Sequence, residues 1–152
     1  MSKNGETLFC TGGGSITAIN TRNGTPRWES SVTNRYGEQP QFGHSPALHP
    51  DGAVLYVGEH NYQLFALHTA NGSIFWTSDL GSGSDLGTPV TSSDGRLLIC
   101  PVGGDIVALS TATGIMLWKI HNGLNQDTQP AVSSDSRFLY KLRVGGVLRH
   151  RG

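Results

Sequence analysis

The chain is short, rich in glycine and poor in charged side chains: its 152 residues include 21 glycines, and charged residues make only 14%. Eleven basic and eleven acidic residues leave no net charge, which excludes the strongly basic character typical of nucleic-acid binding. Four glutamates and three lysines are too few for a helical bundle, whereas Gly, Ser and Thr supply 49 residues. The composition therefore predicts a single all-β domain.

No segment is typical of a signal peptide or of a membrane span. Residues 1–14 contain one Lys and no apolar run of signal-peptide length. No stretch approaches the roughly 18 apolar residues of a membrane-spanning helix. The sequence favours a soluble protein and, although the compartment stays open, a cytoplasmic location over an exported one.

A fourteen-residue pattern occurs three times without gaps, and its copies end at tryptophans 48 and 42 residues apart. Each copy has Ala ten residues before Trp, Thr seven before and Gly four before. A period of this size is typical of propellers and solenoids. The copies are Ser15–Trp28, Gln63–Trp76 and Asp105–Trp118, which share Ala18, Thr21 and Gly24; Ala66, Thr69 and Gly72; and Ala108, Thr111 and Gly114.

A second repeated segment predicts a turn between two strands. Each copy leads into an apolar run, so the repeating unit is four strands joined by Asp-Gly, Gly-bearing and Asn-Gly or Thr-Gly turns. The recurring acids Asp51, Asp94 and Asp135 are then turn formers and not an acid and base pair. The copies are Ser45–Gly52, Thr88–Gly95 and Gln129–Ser136.

A four-stranded meander that repeats at roughly 40 residues predicts a β-propeller rather than a β-sandwich. We expect one partial, open propeller over residues 1–152, with about three to four four-stranded antiparallel blades. Open blade edges would need further blades or self-association. The predicted blades are an incomplete one over 1–35 that lacks its inner strand, two complete ones over 45–78 and 88–120, and a truncated one over 129–152.

The repeat resembles the pyrroloquinoline-quinone-like repeat of the quinoprotein alcohol dehydrogenase-like β-propellers, whose tryptophan-docking motif is Ala-x-Asp-x-x-Thr-Gly-x-x-x-Trp. The Asp position holds Asn20, His68 and Ser110, a departure that weakens one hydrogen bond of the motif but not the fold. The resemblance implies that each tryptophan lies between blades, near the motif glycine of its neighbour. The implied docking residues are Ala18, Gly24, Trp28, Ala66, Gly72, Trp76, Ala108, Gly114 and Trp118.

WD repeats are the competing interpretation, because Gly43-His44 and His49-Pro-Asp-Gly52 are similar to segments of those blades. This similarity occurs only once. Glu29, Thr77 and Lys119 follow the three tryptophans, where a WD repeat has Asp. The quinoprotein-like repeat is therefore favoured.

The sequence predicts no catalytic residues, no bound cofactor and no metal site. Catalytic members of the superfamily hold the quinone and Ca²⁺ with carboxylate and amide ligands, and larger ones add a vicinal cysteine pair. The glycine runs at 12–14 and 81–87 precede no helix that could bind phosphate, and no Gly-x-Ser-x-Gly elbow occurs. The histidines lack metal-ligand spacing and are expected on loops or strand surfaces; they are His44, His49, His60, His68, His121 and His150.

Cys10 and Cys100 each precede the tryptophan of their own repeat by eighteen residues. Equivalent positions two blades apart lie beyond the roughly 7 Å between Cα atoms that a disulfide allows. We expect both thiols to be free and mostly buried. The basic tail 137–152 is better explained as an irregular terminus than as a patch for an anionic partner.

Two functions fit this sequence. The favoured one is a non-catalytic scaffold whose blade loops and exposed strand edges bind a protein partner, as superfamily propellers do in outer-membrane assembly. The alternative is a fragment of a quinone-dependent dehydrogenase whose active site lies in absent blades. The expected partners are a protein or further blades, with no nucleic acid and no membrane span.

Overall fold

A computed structural model describes residues 1–81, 86–121, 130–143 and 146–151, with side chains up to residue 137. The described residues form four antiparallel sheets. We name the sheets blades one to four in chain order. They contain three, four, four and three strands. The strands are β1 (Thr7–Gly12), β2 (Ser15–Asn20), β3 (Pro26–Ser31), β4 (Ala47–Leu48), β5 (Val54–Gly58), β6 (Gln63–His68), β7 (Ile74–Asp79), β8 (Val90–Thr91), β9 (Leu97–Val102), β10 (Asp105–Ser110), β11 (Met116–His121), β12 (Ala131–Val132), β13 (Phe138–Arg143) and β14 (Gly146–Arg151).

The strands of each blade follow one another along the chain. The order β4-β5-β6-β7 makes blade two a meander, and blade three repeats it from β8 to β11. In blade four, β14 pairs with β13 along its whole length. The third copy of the turn segment leads into the apolar run Phe138–Tyr140, which is the first half of the strand β13. The prediction of an all-β chain is confirmed over the described residues.

The motif alanine and tryptophan face each other across two neighbouring strands. Ala66 is paired with Trp76, and a register shift follows directly after Ala66. The equivalent pair and the same shift occur in blades one and three. Directly opposed residues share one face of the sheet, so the methyl group of alanine leaves space there for the indole.

The hydrophobic core lies between blades and not within any one of them. Alternate residues of a strand point to opposite faces, so each middle blade has one apolar face toward the blade before it and one toward the blade after it. This arrangement explains why β5, β6, β9 and β10 each contain four consecutive buried residues. The junction of blades one and two contains Phe9, Ile16, Ala18, Leu55, Val57, Phe65 and Leu67; that of blades two and three contains Tyr56, Leu64, Ala66, Leu86, Leu98, Cys100, Val107 and Leu109.

The two cysteines differ in burial although they occupy equivalent positions. Both thiols are free, as expected. Cys100 is fully buried against blade two, and this burial raises the pKa of its thiol. Cys10 is partly exposed, so its burial is less complete than that of Cys100. The face of blade one that carries Cys10 has no blade against it among the described residues.

We expect the native chain to react with a thiol reagent in two phases. Cys10 should be alkylated rapidly, whereas Cys100 should react only as fast as the chain opens, because the thiolate is the nucleophile and burial disfavours it. Mass spectrometry of time points with iodoacetamide measures both rates. Cys10→Ser should remove the fast phase alone, and the denatured wild-type chain should give two thiols. Equal rates at both sites would contradict this arrangement.

Candidate interaction site

The indole of Trp28 in blade one lies against Gly72 in blade two. A Cβ atom at Gly72 would come within 2.5 Å of Trp28 Cε3, and the φ of Gly72 is +73°. Glycine alone meets both conditions without strain, because it lacks a side chain and adopts positive φ readily. Trp28 Nε1 donates a hydrogen bond of 2.8 Å to the carbonyl of Thr69.

The junction of blades two and three repeats this arrangement. A Cβ atom at Gly114 would lie 2.6 Å from Trp76 Cε3, and Trp76 Nε1 donates to the carbonyl of Thr111 at 2.8 Å. The hydroxyl of Tyr56 donates to the same carbonyl at 3.5 Å. Burial raises the pKa of Tyr56 to about 12, so this hydroxyl keeps its proton and remains a donor near neutral pH.

The repeated threonine positions the carbonyl that accepts the indole N–H. The hydroxyl of Thr69 donates to the carbonyl of Gly52 at 2.7 Å, and that of Thr111 donates to Gly95 at 2.5 Å. We call the first strand of a blade its inner strand (β4 or β8) and the last its outer strand (β7 or β11). Each bond connects the turn before the outer strand to the turn after the inner strand of the same blade. The sequence showed this threonine at a fixed spacing, but a spacing does not reveal which carbonyl a hydroxyl will meet.

The turn before each outer strand does not depend on the aspartate of the family motif. Gly24, Gly72 and Gly114 each donate a backbone hydrogen bond of 2.8 Å to the carbonyl of the residue at the Asp position. The same hydrogen bond forms whether that residue is Asn, His or Ser. The backbone therefore closes the turn at all three positions without a carboxylate.

The remaining docking positions have a different environment. Gly24 is exposed, and nothing lies within 4 Å of the Cβ position. Trp118 is half-buried and packs against the apolar cluster of Ile99, Ile106 and Ala108. Among the glycines that the structure describes, none lies against Trp118 as Gly72 and Gly114 lie against the other two tryptophans.

The histidines whose side chains the structure describes form no metal site. Within the described ranges there is no group of three His, Cys, Asp or Glu side chains that could hold a metal ion. His44 and His60 have ring centroids 6.2 Å apart, and the imidazole of His68 lies 5.1 Å from the ring of Phe75. His121 is exposed and hydrogen-bonded to Asp105. The side chain of His150 lies outside those described.

His49 is an inter-blade contact, a role that its sequence position did not predict. Its Nε2 lies 2.9 Å from the carbonyl oxygen of Gly95, so the contact joins blade two to blade three. Its Nδ1 lies 2.7 Å from Asp51. The backbone N–H of Ala53 also donates to Asp51 and lowers the pKa of that carboxyl. His49 lies on a loop, as expected, but its imidazole covers the neighbouring Gly95.

Glu59 is a fully buried carboxylate that the sequence did not single out. Its oxygens accept hydrogen bonds from the backbone and the side-chain amide of Asn61, both at 3.0 Å. Asn34, which lies in the linker after blade one, donates to Glu59 at 3.5 Å. The carboxylate thus attaches this linker to blade two and is occupied by protein donors.

A cleft of about 370 Å³ lies beside this linker. The amide of Gln39 donates to the carbonyl of Gly13 at 2.6 Å across it. The lining has amide groups and one imidazole but no carboxylate, and it includes part of the first glycine run. The lining residues are Gly13, Gly14, Gln39, Pro40, Gln41, Phe42 and His60.

Replacing Trp76 with alanine should destabilise the protein by about 3–5 kcal/mol, the range for loss of a large packed aromatic side chain. The variant loses the contact with Gly114 and the hydrogen bond to Thr111. Urea unfolding, followed by circular dichroism, measures the change. Trp76→Phe keeps a ring but lacks the N–H group and should lose less. A loss below about 1 kcal/mol in Trp76→Ala would contradict a stabilising role for the indole.

The successive antiparallel sheets pack face to face, and each of the first two junctions has a tryptophan against a glycine. These features define the chain as an open segment of a quinoprotein-like β-propeller. In comparisons with known proteins, the family model described as outer membrane protein assembly factor BamB matches residues 6–147. The chain belongs to this family. The predictions of the repeat family and of a partial propeller are confirmed.

A solved structure with the same fold is the crystal structure of BamB from Moraxella catarrhalis, with a TM-score of 0.73 and 20% sequence identity. The match covers 99% of this chain and 48% of that one, so the chain spans about half the length of that structure. No curated protein sequence matches the chain. Within the described ranges, no helix is long and apolar enough to cross a lipid bilayer.

Proposed function

We propose that this chain is a non-catalytic propeller segment that binds a polypeptide partner on its outer strands. The proposed scaffold is one domain over residues 1–152, with blades over 1–35, 45–78, 88–120 and 129–152. In this proposal the repeated Ala, Gly and Trp positions keep the blades together. The family description, an assembly factor for outer membrane proteins, supports a protein partner over a small molecule.

The observation that carries the proposal is a set of exposed apolar side chains on two free strand edges. Among the described residues, β7 and β11 are the last strands of their sheets and pair on one side only. Phe75 is 44% exposed and Leu117 is 53% exposed. Exposed apolar groups that recur on neighbouring elements are typical of protein-interaction sites. The side chains are Ile74 and Phe75 in blade two and Ile115, Met116 and Leu117 in blade three.

The corresponding strand of blade one is different in character. β3 begins with Pro26 and Arg27, at the positions where β7 has Ile74 and Phe75. Proline and a charged side chain are the usual means by which an edge strand avoids pairing with another chain. Blades two and three lack both at these positions, so their edges are open to a further strand.

The partner that fits such an edge is an extended polypeptide with apolar side chains at alternate positions. An added strand gains backbone hydrogen bonds from the free edge and covers the apolar side chains. The strands of an outer-membrane β-barrel have this alternating pattern before they are folded into the barrel. A partner of this kind implies a location outside the cytoplasm, in contrast with the location that the sequence favoured.

The binding test uses a urea-unfolded eight-stranded outer-membrane barrel protein that carries a fluorescent label and is diluted into buffer with the chain. We expect saturable binding by fluorescence anisotropy. Leu117→Arg should weaken binding at least about tenfold, because it places a charge in the apolar contact. The free energy of unfolding should change by less than about 0.5 kcal/mol, since Leu117 is exposed.

The matched control is Ser31→Arg, which adds the same charge to an exposed position of β3, outside the two proposed edges, without removing apolar surface. It should bind the barrel polypeptide as the wild-type chain does. An unfolded soluble protein of equal length and low strand propensity should bind weakly. Equal binding by Leu117→Arg and wild type, or no binding of the barrel polypeptide, would refute the proposal.

We expect no saturable binding of pyrroloquinoline quinone at micromolar concentrations in the presence of Ca²⁺. Calcium sites need several oxygen ligands, usually including carboxylates, and the cleft beside the first linker is lined by amides, backbone and one imidazole. Equilibrium dialysis with the quinone, with and without Ca²⁺, measures the outcome. Calcium-dependent saturation would instead favour the dehydrogenase fragment.

A further inference from the structure

The cleft beside the first linker lies between three separate parts of the chain. Gly13 and Gly14 come from the turn between β1 and β2, residues 39–42 from the linker after blade one, and His60 from the turn between β5 and β6. The volume of about 370 Å³ is at the small end of the range for ligand pockets, which begins at about 300 Å³. The cleft therefore has room for a small ligand that would contact blades one and two together.

Gln39 is held across one part of the cleft. Its amide N–H donates to the carbonyl of Gly13 at 2.6 Å. Its side chain also lies directly over Gly14, where a Cβ atom would overlap it and where φ is +80°. Glycine alone meets both conditions without strain. Because the amide oxygen of Gln39 accepts no hydrogen bond from the described residues, it is available to a ligand.

A second amide and an imidazole form another part of the lining. The ring of His60 packs over Gly43 so closely that a Cβ atom there would overlap it. The backbone N–H of His60 donates to the carbonyl of Gln41 at 3.0 Å, which joins the linker to blade two. The side-chain amide of Gln41 is exposed and has no partner among the described residues. It can therefore both donate and accept toward a molecule in the cleft.

Phe42 supplies an apolar ring beside these amides. It is half-buried, and its ring lies nearly perpendicular to that of Phe65, with centroids 6.1 Å apart and planes at 79°. Phe65 belongs to the core between blades one and two, so packing fixes the ring of Phe42. The accessible part of this ring is a rigid apolar surface next to groups that donate and accept hydrogen bonds.

We propose that this cleft binds a neutral pyranose sugar, with one face of the sugar ring on Phe42 and its hydroxyl groups hydrogen-bonded to Gln39 and Gln41. A pyranose has C–H groups on its ring face and hydroxyls around its rim, so it uses an aromatic surface and amides at the same time. Amides and hydroxyls each both donate and accept, and therefore pair in either sense. The site is separate from the proposed outer-strand edges, because none of the described lining residues belongs to β7 or β11.

Three other classes of ligand fit the cleft less well. An anion such as a phosphate is usually bound by basic side chains, and the lining that the structure describes has no Lys or Arg. A polypeptide that adds a strand needs a free strand edge, whereas the described lining comes from turns and a linker. An open-chain polyol has the hydroxyls of a sugar but no ring face to pack on Phe42.

The probes are the neutral disaccharides maltose, cellobiose, trehalose and diacetylchitobiose, each titrated into the isotope-labelled full chain and followed by NMR. The titrations extend to about 20 mM, because a small cleft with a few neutral hydrogen bonds gives millimolar affinity. We expect at least one disaccharide to cause saturable shifts in the side-chain amide signals of Gln39 and Gln41 and in the backbone signal of His60. Sorbitol and glucose 6-phosphate should cause none.

Gln41→Ala should weaken binding of that disaccharide about three- to tenfold, the effect of losing one neutral hydrogen bond. Phe42→Leu should weaken it at least about threefold, because leucine keeps apolar volume but has no flat ring. Glu38→Ala is the matched control, since it shortens an exposed side chain of the same linker outside the lining. It should bind the sugar as the wild-type chain does. Thermal unfolding verifies that each variant is folded, and Gln41→Ala should unfold as the wild type does because Gln41 is exposed.

Three results would overturn the proposal: no saturable shift with any of the disaccharides, wild-type affinity in Gln41→Ala, or equal shifts with sorbitol. Sugar-induced shifts confined to β7 and β11 would also refute it and would leave the proposed function intact. If the unfolded barrel polypeptide shifts the signals of Gln41 and His60 while no sugar does, the cleft belongs to the polypeptide site and the sugar proposal is wrong.

Discussion

A four-stranded sheet with two apolar faces cannot cover either face by itself, and this constraint governs the whole arrangement. Each face must be removed from water by a neighbouring sheet, so burial is gained at the junctions and not inside the blades. Blade two, with sheets on both sides, has consecutive buried residues on its two middle strands. In blade one, β1 has a single buried residue, Phe9, because the described residues cover only the face toward blade two.

The tryptophan, glycine and threonine positions are effective because each satisfies a different requirement of the junction. Glycine permits positive φ and the approach of a ring, tryptophan supplies apolar area with one polar N–H group, and threonine holds the accepting carbonyl. The backbone bond that closes the turn does not require the side chain at the Asp position, although Asn20 Oδ1 also accepts a hydrogen bond from the backbone N–H of Arg22. Asn20, His68 and Ser110 are therefore tolerated without loss of the turn.

Spacing in the sequence was enough to predict the all-β fold and the partial propeller, because Ala, Gly and Trp recur in register with the strands. It could not predict the role of the repeated threonine, whose partner at Gly52 or Gly95 lies far from it in sequence. The same limit applies to His49, which meets a glycine of the next blade. For Cys10, equivalence within the repeat could not show that burial is less complete than at Cys100, because burial depends on a neighbouring blade that a repeat alignment does not represent.

Each described junction joins only blades that are adjacent in the chain, and this nearest-neighbour connectivity affects how the molecule opens. The free energy of such an array is approximately a sum of blade terms and junction terms, and an end unit loses a single junction when it detaches. Among the described residues blade one has one junction and blade two has two, so blade one can separate while the junction of blades two and three stays intact. Its backbone amides would exchange with solvent through this local opening, whereas those of β5 and β6 require two junctions to be lost. Protection against hydrogen exchange thus increases from blade one to blade two, although both have the same pattern of sheet hydrogen bonds.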